Sequence, residues 1–283
     1  MKTIALLCLL VMPILARAKA PIKIMNFNTM CVFCGDKEEY GTFEERLEAI
    51  ADTINRHDPA ILSLQEFTRK SEVKKLLKKL KSQYEAIYYQ GVGVSFVDPV
   101  LLVKKNRFEV MDEASFWLGP NPKLPLGWKV TFPRRLQWAE IMDKERGERF
   151  VLAGTHFDNS SENKDPSANL TNELFKHFSL PVIFAGDTNL KPAMPVFSTL
   201  LGDVFVDTFP GLENVEFYAN GEYSPHEACN ISKDVIFPQC RVDHVLLSKN
   251  APWSVKSWGI DVFKYHGKKG FASDHRAMIV VLE

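Results

Sequence analysis

Apolar and polar positions along the chain switch between a period of two and a period of three to four, and the switches mark the elements. Residues 22–27 alternate and predict a strand. Thr42-Phe43-Glu44-Glu45 has capping-box spacing, and Phe43, Leu47, Ile50, Ala51 and Ile54 then share one helical face until His57-Asp58-Pro59 ends it. Ile61-Leu62-Ser63-Leu64 predicts a buried strand that delivers Gln65 and Glu66 at its end. A second helix is predicted over 71–83, with Val73, Leu76, Leu77 and Leu80 inward and Lys74, Lys75, Lys78, Lys79 and Lys81 outward. That lysine face is either solvated or a local attractor for phosphate.

Further strands are predicted over 86–89, 100–104, 108–111, 137–142, 150–155, 181–185, 242–247 and 277–282, and a helix from Asp165-Pro166 to about 178. The stretch 211–239 is polar and reads as a long irregular loop. No repeat or linker interrupts the pattern. Helices scattered among more numerous strands predict an α/β fold with stacked sheets.

Composition narrows the class. The chain has 283 residues, 46% hydrophobic and 25% charged, which excludes a disordered chain, a collagen-like repeat and a disulfide-dense mini-protein. Its 35 basic and 35 acidic side chains cancel, so any pull on phosphate must be local. The N-terminus reads as a secretory signal: Lys2, an apolar run from Ile4 to Leu15, then Ala16-Arg17-Ala18. Cleavage after Ala18 would divide the chain into a leader, 1–18, and one domain, 19–283, secreted or periplasmic and slightly acidic. Cys31, Cys34, Cys229 and Cys240 then remain. An even number in an exported chain suggests disulfides, and proximity alone favours the local pairing. A redox motif at Cys31-Val32-Phe33-Cys34 and a four-cysteine zinc site are the competing readings.

The polar residues with chemistry sit at predicted strand ends. These are Asn28; Gln65-Glu66; Thr155-His156-Phe157-Asp158; Gly186-Asp187-Thr188-Asn189; Arg241-Val242-Asp243-His244; and Ser273-Asp274-His275. Strand ends on a rigid sheet can gather distant sequence into one pocket. The set has no serine on a nucleophile-elbow turn. Glu66, Asp187, Asp243 and Asp274 suit a hard cation such as Mg²⁺, with Mn²⁺ or Ca²⁺ as the other candidates. A histidine oriented by a carboxylate supplies acid and base near neutral pH. This is the toolkit of metal-assisted phosphoester hydrolysis by water.

The ordered set resembles the endonuclease/exonuclease/phosphatase superfamily, from Ile22-Lys23-Ile24-Met25-Asn26-Phe27-Asn28 to Ser273-Asp274-His275. The middle resembles a bacterial branch: Phe116-Trp117-Leu118, Gly127-Trp128, Pro133-Arg134-Arg135 with Trp138-Ala139, and Gly154-Thr155-His156-Phe157-Asp158. The resemblance implies the four-layer α/β sandwich of pancreatic-type deoxyribonuclease, two packed mixed sheets flanked by helices. It implies Glu66, supported by Asn28, as the principal metal ligand. Asp187 would orient or deprotonate the attacking water, and Asn189 would bind the phosphate. His275, with Asp243 as its partner, would stand at the scissile phosphate, and Asp274 beside it would touch a second ion. His156 would donate to the phosphate, and Arg135 or Arg134 would contact its oxygens.

Two segments depart from the family. The family's glutamate partner for the histidine at His156 is absent; Asp98 is the nearest carboxylate, out of register. A longer Cys229–Cys240 segment carrying His226 stands where the branch has a short loop, and substrate choice is expected there. The first functional reading is a secreted Mg²⁺-dependent phosphodiesterase on nucleic acid. The second is a phosphatase or phospholipase on a phosphorylated lipid or sugar headgroup. The third is an inactive binding module, against which the complete polar set argues. A monomer without a stable protein partner is expected. N-x-S/T sites lie at Asn159, Asn169 and Asn230.

Overall fold

The alternation at 22–27 does more than make a strand: it decides which side chains meet the other sheet. In the computed structural model, β1 (Ile22–Asn28) sends Ile22 and Ile24 into the core between two sheets, and Met25 and Phe27 into the layer under the helices. The structure describes residues 19–91, 97–129, 131–229, 237–265 and 270–283. The expected leader, residues 1–18, and Asn230 lie outside the described residues.

The first half of the chain continues with α1 (Lys37–Tyr40), α2 (Phe43–His57), β2 (Ile61–Gln65), α3 (Lys70–Lys79), β3 (Tyr84–Ile87), β4 (Val100–Lys104), β5 (Phe108–Trp117) and β6 (Arg135–Asp143). The second half runs through β7 (Glu148–His156), α4 (Ser161–Phe175), β8 (Val182–Asp187), α5 (Pro195–Leu201), β9 (Phe205–Asp207), β10 (Val215–Tyr218), β11 (Asp243–Ser248), β12 (Val255–Asp261) and β13 (Met278–Leu282). Two mixed sheets form, in the orders β10-β12-β13-β1-β2-β4-β3 and β5-β6-β7-β8-β11-β9. The parallel pairs are β1 with β2, β10 with β12, and β7 with β8.

Helices cover both outer faces. Leu47, Ile50 and Ile54 of α2 and Val73 and Leu76 of α3 cover the first sheet. Ala168 and Phe175 of α4 and Phe197 and Leu200 of α5 cover the second. The result is the expected four-layer sandwich. The start of α2 is the expected box: Glu45 N–H donates to Thr42 Oγ1 while the Glu45 carboxylate accepts from Thr42 N–H. On α3, Lys75 pairs with Glu44 and Lys79 with Glu48 of α2. Part of the lysine face is thus spent on the neighbouring helix and does not stand free as a phosphate attractor.

Several expectations shift. The strand expected at 108–111 runs on to Trp117, and β10 crosses the stretch expected to be irregular. β5, β9 and β10 are all edge strands, which need no continuous apolar face, so their pattern is weak in sequence. The helix expected from Asp165 starts at Ser161, with Pro166 inside it. Trp253 and Trp258 are buried in the core between the sheets. The disulfides are Cys31–Cys34 and Cys229–Cys240, the local pairing. Oxidised sulfurs are not zinc ligands, which removes the four-cysteine site.

Candidate active site

The site is the mouth of the inter-sheet core. Ile22 and Ile24 continue on the same face into Asn26 and Asn28; Ile61 continues through Ser63 into Gln65. On the second sheet, Phe150 and Leu152 lead to Gly154 and His156; Ile183 and Ala185 lead to Asp187. β11 runs the other way, so Asp243 opens it and Val245 and Leu247 follow inward. Apolar residues glue the sheets at depth, and polar ones take over at one end. Gly154 is required where the layers approach: a Cβ there would lie 2.6 Å from Leu101 and 2.9 Å from Ser63 Oγ.

Glu66 leaves β2 with φ 71°, the left-handed backbone that a non-glycine residue adopts only under constraint. Asp98 Oδ1 accepts from its N–H at 3.1 Å, and its Oε2 accepts from Cys31 N–H at 2.6 Å. Asn28 Nδ2 donates to Glu66 Oε1 and to Asp187 Oδ2, both at 3.0 Å. The Asn28 carbonyl is turned away and accepts from Met30 N–H at 3.0 Å.

Two histidines approach one oxygen. His275 Nε2 lies 3.7 Å and His156 Nε2 3.6 Å from Asp187 Oδ2. Each ring is held from behind through Nδ1. His275 meets Asp243 Oδ2 at 2.7 Å, and Asp243 Oδ1 accepts from Asn26 Nδ2 at 3.0 Å. His156 Nδ1 lies 2.8 Å from Asp98 Oδ2. Asp98, out of register in sequence, therefore occupies the partner's place in space, because the antiparallel pairing of β2 with β4, Leu64 against Val100, sets it beside Glu66 at the end of β2.

Burial alone would neutralise these groups; their mutual charges reverse that. Burial raises the Asp187 carboxyl, but His275, His156 and the Asn28 and Asn189 N–H groups outweigh it and hold it below the usual carboxylate range. Burial opposes charge on His275 as well, yet Asp243 and Asp187 push it up to about 10. Burial and the nearby Asp187 charge raise Asp243. The shared proton therefore rides on His275, an imidazolium between two carboxylates.

The remaining expected residues divide. Asn189 has φ 53°; its N–H donates to Asp187 Oδ1 at 2.9 Å and its side chain to Phe157 C=O at 2.9 Å. Asp274 is half-buried beside His275, with Ser273 Oγ 3.2 Å away. Arg134 Nη1 lies 2.8 Å from His156 Nδ1 and 3.5 Å from Asp98. Arg135 points elsewhere: its guanidinium is buried between the Tyr89 and Trp117 rings, 3.9 and 4.0 Å from their centroids. Burial lowers it to about 10.

Two contributors escape the sequence reading. Arg46, buried on α2, donates to the carbonyls of Thr29, Met30 and Cys31 and fixes the loop against Glu66. Lys164, in the first turn of α4, is lowered by burial and raised by Asp187 and Asp158, which places a cation near the mouth. Beside Arg134 a cavity of about 570 Å³ is lined by Thr131, Phe132, Asp158, Asn159 and Ser160. The donors around Glu66, Asp187 and Asp274 are oxygens, the chemistry of a hard divalent cation. Asp187, Asp243 and His275 also lie within 4.8 Å of one another through their ligating atoms.

The endonuclease/exonuclease/phosphatase family model matches residues 26–275. The chain belongs to this family. Members are phosphoester hydrolases that generally use divalent metal ions, and the chain is an enzyme of that class. No curated protein matches it. Among solved structures, an endonuclease/exonuclease/phosphatase family protein from Bacteroides thetaiotaomicron is similar at 22% identity and TM-score 0.77, covering 93% of this chain and 98% of its own. A mannosyl-6-phosphatase from the same organism has 22% identity and TM-score 0.75 over 93% and 99%. TDP2 from D. rerio, complexed with single-strand DNA product, has 18% identity and TM-score 0.69 over 94% and 100%. At such identities the likeness is one of fold.

Proposed function

We propose that this family member is an exported, Mg²⁺-dependent phosphoesterase, residues 19–283 being its catalytic domain, and that it acts on the phosphate ester of one sugar-sized polar group. The observation that carries the substrate class is the open cavity lined by Arg134. It offers one aromatic face at Phe132 and short polar side chains at Thr131, Asn159 and Ser160, a lining suited to a single hydroxylated ring. Asp158 braces that wall by accepting from Thr131, from Ser160 N–H and from Asn163. The pairing of Lys75 and Lys79 with α2 weakens one argument for a nucleic-acid strand.

Glu66 is assigned as the principal cation ligand, with Asp274 as a further carboxylate and Asn28 holding both Glu66 and Asp187. A bound divalent cation withdraws charge from a phosphoryl oxygen and from the leaving oxygen. Asp187, ionised and aimed by Asn28, orients the attacking water and takes its proton. His275, charged through Asp243, donates to a phosphoryl oxygen as negative charge grows there. His156, held by Asp98, donates beside it. Arg134 and the Asn189 turn neutralise and position the phosphate. Two disulfides and the clamp on Ala20 and Pro21 carbonyls by Arg107 and Arg146 suit an exported, processed chain.

The test is a panel with Mg²⁺: hexose phosphates, phosphoinositides, sphingomyelin, RNA and plasmid DNA. Release of inorganic phosphate from hexose phosphates, with plasmid left intact, is expected. Cleavage of plasmid or RNA with no turnover of sugar phosphates would instead establish the nuclease reading, which the cations Lys164 and Arg134 at the mouth favour.

A further inference from the structure

His244 neighbours Asp243 in sequence but belongs to the opposite face of β11, away from the reacting groups. It is fully buried. Its two ring nitrogens have unlike partners. Nε2 lies 2.8 Å from the Leu190 carbonyl oxygen, which can only accept. Nδ1 lies 2.9 Å from Arg241 Nη1, which can only donate. Only one tautomer satisfies both: hydrogen on Nε2, lone pair on Nδ1. Arg241 is itself held by Asp207, Nη1 to Oδ1 at 3.2 Å and Nη2 to Oδ2 at 2.5 Å. Phe197 stacks on the imidazole, centroids 4.4 Å apart.

We propose that Asp207, Arg241 and His244 form a positioning relay in which the arginine selects the histidine tautomer that anchors the Asp187–Leu190 turn. Without a cation at Nδ1, nothing holds the lone pair there, and the ring is free to take the other tautomer. Its Nε2 lone pair would then face the Leu190 carbonyl, and the turn would lose its anchor. That turn contains Asn189, whose left-handed backbone aims one N–H at Asp187 and whose side chain reaches Phe157. His244 thus acts through Asn189 and touches no substrate. The inference rests on the assignment of Asn189 to the phosphate.

Nitrogen-15 NMR of the imidazoles in the intact wild-type protein should show His244 neutral with hydrogen on Nε2 at pH 7. Hydrogen on Nδ1 would overturn the relay, whatever Asn189 does. Arg241→Met should lose the Nε2–H signature; its retention would show that Arg241 does not choose the tautomer. With p-nitrophenyl phosphate and Mg²⁺, His244→Leu should lower kcat about ten- to a hundredfold, the cost of a misplaced group, with KM little changed. His244→Gln, whose amide N–H can reach Leu190, should recover most of that loss. Glutamine no better than leucine, or the same loss from His244→Leu in an Asn189→Ala background as in wild type, would refute action through the turn. If His244→Leu does not fold, the glutamine variant and the wild-type spectrum still decide. Asn189→Ala alone with normal turnover would sink the phosphate assignment but leave the tautomer result standing.

Discussion

Asn28 Nδ2 stands 3.0 Å from Glu66 Oε1 and 3.0 Å from Asp187 Oδ2, so a single amide on the first sheet holds carboxylates from both sheets. Asn28→Ala should leave the two negative charges facing each other unrelieved. We expect the Mg²⁺ half-saturation to rise about 10–100-fold, the usual cost of losing a group behind a metal ligand. Calorimetric titration of the resting protein with Mg²⁺ reads this directly. Unchanged affinity would show that the bridge is decorative.

Asp187→Ala removes the carboxylate on which both histidines converge. It should lower kcat by roughly 10²–10⁴, the range for a general base, while leaving far-ultraviolet circular dichroism unchanged. Chelation by EDTA should abolish wild-type turnover, and added Mg²⁺ should restore it. Full activity in the chelator, or near-normal turnover of the variant, contradicts the assigned chemistry.

His275 links stability to pH. Its folded-state value of about 10 lies above the ordinary 6.5 of a free imidazole. A raised value means that the folded state binds the proton more tightly, so the contribution is full below about pH 6.5. It drains away as pH rises toward 10. In EDTA, urea midpoints should therefore fall between those limits, and His275→Gln should flatten that fall. A variant whose pH profile parallels the wild type would count against the imidazolium.

Arg46→Met tests the loop that carries Cys31. The guanidinium donates to Thr29, Met30 and Cys31 carbonyls, and 3.4 Å from it lies that of Ala272. Leaving them buried and unpaired should cost about 1.5–3 kcal/mol, the range of charged hydrogen bonds, in urea denaturation. It should also weaken Mg²⁺ binding, because the Cys31 N–H is no longer pinned against Glu66.

Central strands and the residues of the candidate site were legible for one reason: burial on both faces forces an unbroken apolar run, and the polar residue that ends such a run stands out. Ile61–Leu64 before Glu66 and Val182–Ala185 before Asp187 are of this kind. Edge strands such as β10 carry no such obligation, and Val215-Glu216-Phe217-Tyr218 passes for loop. Asp98 was placed by sequence but not by role, since its contact with His156 spans 58 residues and depends on the pairing of β2 with β4 and on how the two sheets pack. Arg46 and Lys164 were hidden for the opposite reason: on a helix a basic residue reads as solvated surface, and only packing shows which one turns inward.

The face shared by Ile22, Ile24, Asn26 and Asn28 has a bearing on how this enzyme can evolve. Adhesion between the sheets and the geometry of hydrolysis are written on one set of alternate positions, so a one-residue insertion within β1, β7 or β8 would present the opposite set to the cleft and damage folding and turnover together. Lengthening or rebuilding the loops beyond the strand ends carries no such penalty. Change in substrate should therefore accumulate there, around the Phe132 cavity and the Cys229–Cys240 segment, while the strands themselves stay fixed in length.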